Sequence, residues 1–237
     1  MKIKTTLLLL AISQLAYAEI SIEQERADCL KIKSFAATGD KHYKLKKYSK
    51  ARKQYEQQAA WSESCQLDVS QIATAYNNVA LTYIHEADFL KANAWLEIEP
   101  NDKKSIFNAS KISKKLKKSI DDLANNPEGQ YWQYAGKSLW STITVKKSDS
   151  KYHFNFNGYY AGLMAMYYGP NIGEFSTTLE LINGKARYIM SEDDDYFNCT
   201  YDFTITDETL TVERISGDSC GFGHNVSAEG VYYKTGT

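Results

Sequence analysis

The chain changes its hydrophobic period about half-way along. From Ser21 to Leu123 apolar residues recur every three to four positions, the spacing that keeps one face of a helix against a core. Gly39 and Pro100 are the only glycine and proline in that stretch, an economy that suits helices because both residues weaken them. From about Tyr131 the period falls to two. Ile143/Val145, Tyr152/Phe154/Phe156, Leu179/Leu181, Ala186/Tyr188/Met190, Phe203/Ile205, Leu210/Val212 and Val231/Tyr233 each alternate with polar residues, as half-buried strands do. Between Leu181 and Ala186 stands Asn183-Gly184, a hairpin signal because the tightest strand reversals need positive φ at both central positions. These patterns predict an α+β chain in two domains: helical hairpins over 19–125, a linker over 126–130, and an antiparallel β barrel or sandwich of about eight strands over 131–237. Closure of such a sheet would hide its edges.

The helical half carries a faint repeat. Gly39, Tyr43, Tyr48, Ala51 and Tyr55 are matched in their relative places by Ala80, Tyr83, Phe89, Ala92 and Leu96. Small residues at 39, 51, 80 and 92 would let helices approach closely, and the aromatics would fill the space between hairpins. This arrangement resembles the tetratricopeptide repeat. The copies lie 41 residues apart, where the family repeat is about 34, so the resemblance is to a degenerate pair covering roughly 30–100. It implies a concave groove that takes an extended peptide or a partner's helix, lined here by Tyr43, Tyr76, Tyr83 and Trp95. Beyond it, Pro100-Asn101-Asp102 reads as a turn and N-cap. Ile106, Ala109, Ile112, Leu116, Ile120 and Leu123 then mark the inner face of a closing helix.

The first eighteen residues combine Lys2 and Lys4, an apolar run from Leu7 to Ile12, and Ala16-Tyr17-Ala18. That is the pattern of a signal peptide cleaved after Ala18, and the run is too short to span a bilayer. It predicts a periplasmic or secreted bacterial protein with no transmembrane segment. Export changes how the four cysteines are read, because thiols outside the cytoplasm persist as disulfides. In an antiparallel helix pair turning near Lys46, Cys29 and Cys65 meet at the open end. In a hairpin turning at Asp207-Glu208, Cys199 and Cys220 do the same.

The second pairing settles how the tail, CGFGHNVSAEGVYYK over 220–234, is read. A disulfide consumes the sulfur a nucleophile would need, and His224 has only Asp218 and Ser219 nearby in sequence, whereas triad members come from separate elements. Phosphate-binding glycine loops lead into a helix; here a strand follows. This ending, with Cys-Gly-Phe-Gly, Asn-Val and Gly-x-Tyr-Tyr-Lys, resembles the C-terminal β domain of small exported bacterial proteins, some joined to lysozyme-inhibitor-like modules.

Charge is unevenly spread. Residues 19–126 hold 18 basic against 15 acidic side chains, and 127–237 hold 8 against 14. Seven of the thirteen residues over 41–53 are basic, and seven lysines fall between Lys103 and Lys118. For an exported, net acidic chain these runs do not indicate nucleic acid. They read as solvated helix faces, or as a surface for an acidic protein, a cell-wall polymer or lipid headgroups. Glu192 to Asp195 are adjacent acids rather than spaced ligands, and the four histidines lack ligand spacing, so no metal or cofactor is expected. Two aromatic groups stand out: Tyr131, Trp132, Tyr134 and Trp140, and Tyr159, Tyr160, Tyr167 and Tyr168 around Gly162-Leu163-Met164-Ala165-Met166. Alternate members of a strand face outward, and exposed Tyr and Trp favour interfaces.

The expectation is an exported, non-enzymatic module that binds another protein or peptide. A sharper alternative is an inhibitor or immunity protein that plugs a cell-wall hydrolase or a delivered toxin, with Asp193, Asp194, Asp195 and Tyr196 as the tip. The rival is a hydrolase of peptidoglycan or sugar using carboxylates such as Glu174, Glu180 or Asp202, which would have to face each other across a cleft. Thiol titration of the unreduced, denatured protein is expected to label none of the four cysteines; labelling of Cys199 or Cys220 would reopen the chemistry of the tail.

Overall fold

In the computed structural model, which describes residues 20–190, 198–218 and 220–236, helices α1 (Ile22–Leu30), α2 (Ile32–Lys44), α3 (Tyr48–Ser64), α4 (Val69–His85), α5 (Phe89–Leu96) and α6 (Lys103–Asp121) come first. They are followed by strands β1 (Gly129–Gly136), β2 (Leu139–Ser148) and β3 (Lys151–Tyr160), a short helix α7 (Ala165–Tyr168), and strands β4 (Asn171–Leu179), β5 (Lys185–Ile189), β6 (Thr200–Ile205), β7 (Thr209–Ser216) and β8 (Gly230–Gly236). The expectations for 1–18 and for Asp193, Asp194, Asp195 and Tyr196 fall outside the described residues. No helix among the described residues is long and apolar enough to cross a membrane.

The helical turns share one device. Lys46, Gln66 and Ala87 take left-handed backbone conformations, with φ of 56°, 51° and 61°. In each case the next residue's N–H bonds back to the helix: Lys47 to the His42 carbonyl, Leu67 to Ser62 and Asp88 to Tyr83, all at 3.0 Å. These bonds satisfy carbonyls that a helix end leaves open. Asp68, Asp88 and Asp102 then cap the N-termini of α4, α5 and α6 with their side chains. Ala51, Ala80 and Ala92 are fully buried, and a Cβ at Gly39 would run into the Tyr55 ring, so small side chains do set the helix spacing.

Helix α6 departs from its predicted face in one place. Ile106 is 56% exposed, while Ser105 and Asn108 are buried. The reason is a polar network with α4: Asn77 Nδ2 donates to Ser105 Oγ at 2.9 Å, and Asn108 Nδ2 donates to Asn77 Oδ1 at 2.7 Å. A buried amide left without partners costs more than an exposed isoleucine, so the network sets the helix rotation.

The strands form one antiparallel sheet in the order β4-β3-β2-β1-β8-β7-β6-β5. It curls until its two ends nearly meet, around a core that includes Tyr131, Phe154, Phe156, Phe203 and Tyr232. Asn183 and Gly184 make the predicted tight turn with φ of 51° and 75°, closed by a bridge between Ile182 and Lys185, but β4 and β5 themselves do not pair among the described residues. The seam between them is filled by rings. Phe175 contacts Tyr188 at 5.2 Å, and Phe222, from the stretch after Cys220, contacts Phe156 at 5.4 Å and Phe175 at 6.5 Å.

The tail is thus a wedge as well as a staple. Both predicted disulfides, Cys29–Cys65 and Cys199–Cys220, are present, and the second delivers the chain to the seam. Gly223 N–H donates to the Ile172 carbonyl at 2.9 Å and Asn171 Nδ2 to the His224 carbonyl at 2.7 Å. A Cβ at Gly173 would stand 2.8 Å from the Phe222 ring, and one at Gly223 would stand 2.7 Å from the Ile172 oxygen. The last strand is shifted by one position from its predicted face: Tyr232 lies in the barrel core, Val231 is exposed, and Tyr233 turns outward to Glu97 near the end of α5. Because the outside of β8 packs on the helices, both of its faces carry apolar residues, and alternation cannot choose between them.

Phe222→Ala is expected to destabilise the fold by about 2 kcal/mol in chemical denaturation, less than the roughly 3–5 kcal/mol of a fully buried ring because Phe222 is only partly buried. Gly173→Ala should destabilise the wild-type protein and be close to neutral in the Phe222→Ala background. Equal costs in both backgrounds would show that the ring does not wedge against this glycine.

Candidate functional site

The outer face of a barrel strand is ordinarily polar, yet Trp132 and Tyr134 of β1 and Trp140 of β2 are aromatic. The helical half explains them by packing against that face. Trp140 meets Trp95 edge to face at 5.2 Å, Tyr134 meets Tyr76 edge to face at 5.5 Å, and Tyr134 and Trp140 lie 5.0 Å apart. Each such pair adds about 0.5–1.5 kcal/mol beyond its buried area. The indole N–H groups of Trp95, Trp132 and Trp140 have no acceptor among the described residues; the cluster is held by ring contacts rather than by hydrogen bonds from its indoles.

Below the rings lies an acid. Glu63, near the end of α3, accepts from the Tyr134 hydroxyl and, at 2.7 Å, from the Lys137 backbone N–H. Lys137 and Ser138 form the β1–β2 turn with φ of 49° and 62°, a geometry for which Asn-Gly is the ordinary choice. The strain is offset by three fastenings: Glu63 on Lys137 N–H, the Tyr134 oxygen on Ser138 N–H at 2.9 Å, and the Ser138 hydroxyl donating to the Glu56 carbonyl at 2.7 Å. Burial pushes the Glu63 carboxyl above the ordinary carboxylate value of 4.5, against the pull of its donors.

The same turn holds a second loop. The Lys137 ammonium donates to the Gly162 carbonyl and, at 2.8 Å, to that of Leu163, and Ala161 N–H donates to the Ala135 carbonyl. At the loop's far end the Tyr167 hydroxyl donates to Asp28 of α1 at 3.1 Å, and its ring stands edge-on to Trp61 of α3 at 5.7 Å. Held by its backbone at one end and by the Tyr167 side chain at the other, the loop leaves Leu163 (65% exposed), Met164 and Tyr168 (66% exposed) at the surface.

Neither a family model, nor a curated protein, nor a solved structure matches this chain. The chemistry of the surface therefore rests on its own geometry.

The four residues expected to line an open groove are divided. Tyr76 and Trp95 (1% exposed) are buried under the chain's own β1–β2 hairpin. Their partners are Tyr134 and Trp140 on the aromatic outer face of β1 and β2. Tyr83 is buried beneath the Arg52 guanidinium, 4.0 Å above its ring, and Arg52 is tied to Glu86 at 2.6 Å. Tyr43 is half-buried and packs edge-on to Tyr48 and His85. Among the carboxylates considered for hydrolysis, Asp202 is engaged by Arg187 through two bonds of 2.6 Å, and Glu174 and Glu180 are exposed. Tyr168 belonged to an aromatic group visible in the sequence; Glu63 and Lys137 carried no local signal, since their role depends on contacts 71 to 74 residues away.

A carboxyl whose folded-state pKa is raised contributes stability that is fully present below its unfolded value and is lost as pH rises through the folded value. Relative to Glu63→Gln, the wild-type protein is therefore expected to lose stability as pH increases upward from the ordinary carboxylate range. Parallel denaturant titrations across about pH 4 to 8 check this; a difference that grows with pH would show that Glu63 is held by its donors more than it is penalised by burial.

Proposed function

We propose that this chain is an exported, non-enzymatic module that binds another protein through the loop carrying Leu163, Met164 and Tyr168. The observation that carries the reading is the fastening of that loop at both ends while its apolar side chains face water. A recognition surface held rigid before binding loses little conformational freedom on complex formation, and exposed apolar and aromatic anchors are what dominate such contacts. Export is supported by the leader-like pattern over 1–18 and by the two disulfides. The resemblance of the helical spacing to tetratricopeptide repeats, and of the tail to small exported β domains, favours recognition over chemistry. A pre-formed, apolar-tipped loop on a stapled barrel also suits the sharper form of the proposal, an inhibitor or immunity protein that blocks a cell-wall hydrolase or toxin.

Immobilised protein from residue 19 onward is expected to retain a discrete partner from an extract of the native organism. The double variant Leu163→Asp/Met164→Asp should retain none of it while keeping the wild-type melting temperature. Retention of the same partner by the variant would remove this loop from the interface. Release of soluble fragments from peptidoglycan, abolished by Glu180→Gln or Asp202→Asn, would instead establish the hydrolase.

A further inference from the structure

Helix α6 presents a second surface that the loop does not explain. Its seven lysines, between Lys103 and Lys118, are all exposed, and the only acid within the helix is Asp121, which pairs with Lys117 at 3.1 Å. Lys111, Lys114, Lys115 and Lys118 are spaced three and four apart, so that like charges face one another along the helix and weaken it. Stability alone would place glutamates among them. Two apolar side chains share this solvent side: Phe107 is 59% exposed and Ile106 is 56% exposed. The Lys111 ammonium lies 4.9 Å from the Phe107 ring. At 100° per residue, Lys103, Phe107, Lys111, Lys114 and Lys118 fall within an arc of about 80°. The buried Asn77, Ser105 and Asn108 network locks that arc outward.

We propose that this face of α6 docks on a membrane surface rich in anionic phospholipid. Lysines alone would suit any polyanion, but a phenylalanine and an isoleucine exposed among them are what an interfacial helix uses. The apolar groups enter the boundary between headgroups and acyl chains, while flanking ammonium groups reach the phosphates. The helix is about 28 Å long and can lie flat, since its opposite side is already anchored to the protein. The charge of the rest of the molecule orients it: residues 127–237 carry 8 basic and 14 acidic side chains and are repelled by the same surface. Each lysine near an anionic leaflet strengthens binding by about fivefold, enough for reversible attachment in which several lysines act together.

Vesicle co-sedimentation with the chain from residue 19 onward tests this, using phosphatidylcholine vesicles with and without about one-third phosphatidylglycerol. Binding is expected only to the anionic vesicles and should weaken as salt is raised. Lys111→Ala/Lys114→Ala/Lys118→Ala should lower partitioning by about a hundredfold, and Phe107→Ala by about tenfold. All four side chains are exposed, so circular dichroism and melting should match the wild type. Absence of binding to the anionic vesicles, equal binding to both vesicle types, or an unaltered triple variant would overturn the proposal. Binding to soluble polyphosphate as tight as to vesicles, with no effect of Phe107→Ala, would assign the face to a polyanion instead.

Discussion

The contact between Trp140 and Tyr134 on one side and Trp95 and Tyr76 on the other is the constraint on which the remaining structure depends. It joins helices whose Tyr76 and Trp95 need an apolar cover to a barrel that has an aromatic outer face. Either would expose apolar surface alone. Joined, they enclose Glu63, and the hydrogen bonds it accepts from the barrel's Tyr134 and Lys137 link the two halves while offsetting part of the cost of burying that carboxyl. The strained β1–β2 turn is held in the left-handed region by the same residues. The turn's lysine in turn holds the loop after β3, so one interface positions the exposed side chains of the proposed recognition surface.

The barrel meets a different difficulty, because β1 and β8 join in mid-sheet but the outer strands β4 and β5 do not pair with each other among the described residues. An open edge exposes backbone groups that invite other chains. The stretch after Cys220 answers this with one aromatic wedge and backbone and side-chain hydrogen bonds to β4. Gly173 and Gly223 permit the approach; both would clash if they carried a Cβ. A disulfide at Cys220 shortens the excursions of this stretch in the unfolded chain, and so couples the covalent link to closure of the sheet.

Surface chemistry follows the same division. The helical half carries the lysine-rich face and the barrel half most of the charge imbalance toward acid, while the apolar loop lies at their junction. A chain anchored by α6 would leave that junction available to a partner, so the two proposed surfaces are compatible without depending on each other.

Periodicity was sufficient for what depends on neighbours in sequence. The change from helical spacing to alternation, the strand count, the Asn183-Gly184 turn, the Asp102 cap and both cysteine pairings could all be read locally, because capping, turn geometry and hairpin closure act over a few residues or across one reversal. The tertiary structure alone decided which apolar groups remain outside. Ile106 yielded its inward place to Ser105 and Asn108 because Asn77 offered them hydrogen bonds, Tyr232 displaced Val231 from the core because β8 has a packed outer face, and Tyr76 and Trp95 were covered by a hairpin some forty to sixty residues downstream rather than left as a groove. Each of these outcomes is a competition between distant segments for the same buried space, and a one-dimensional pattern carries no term for the competitor.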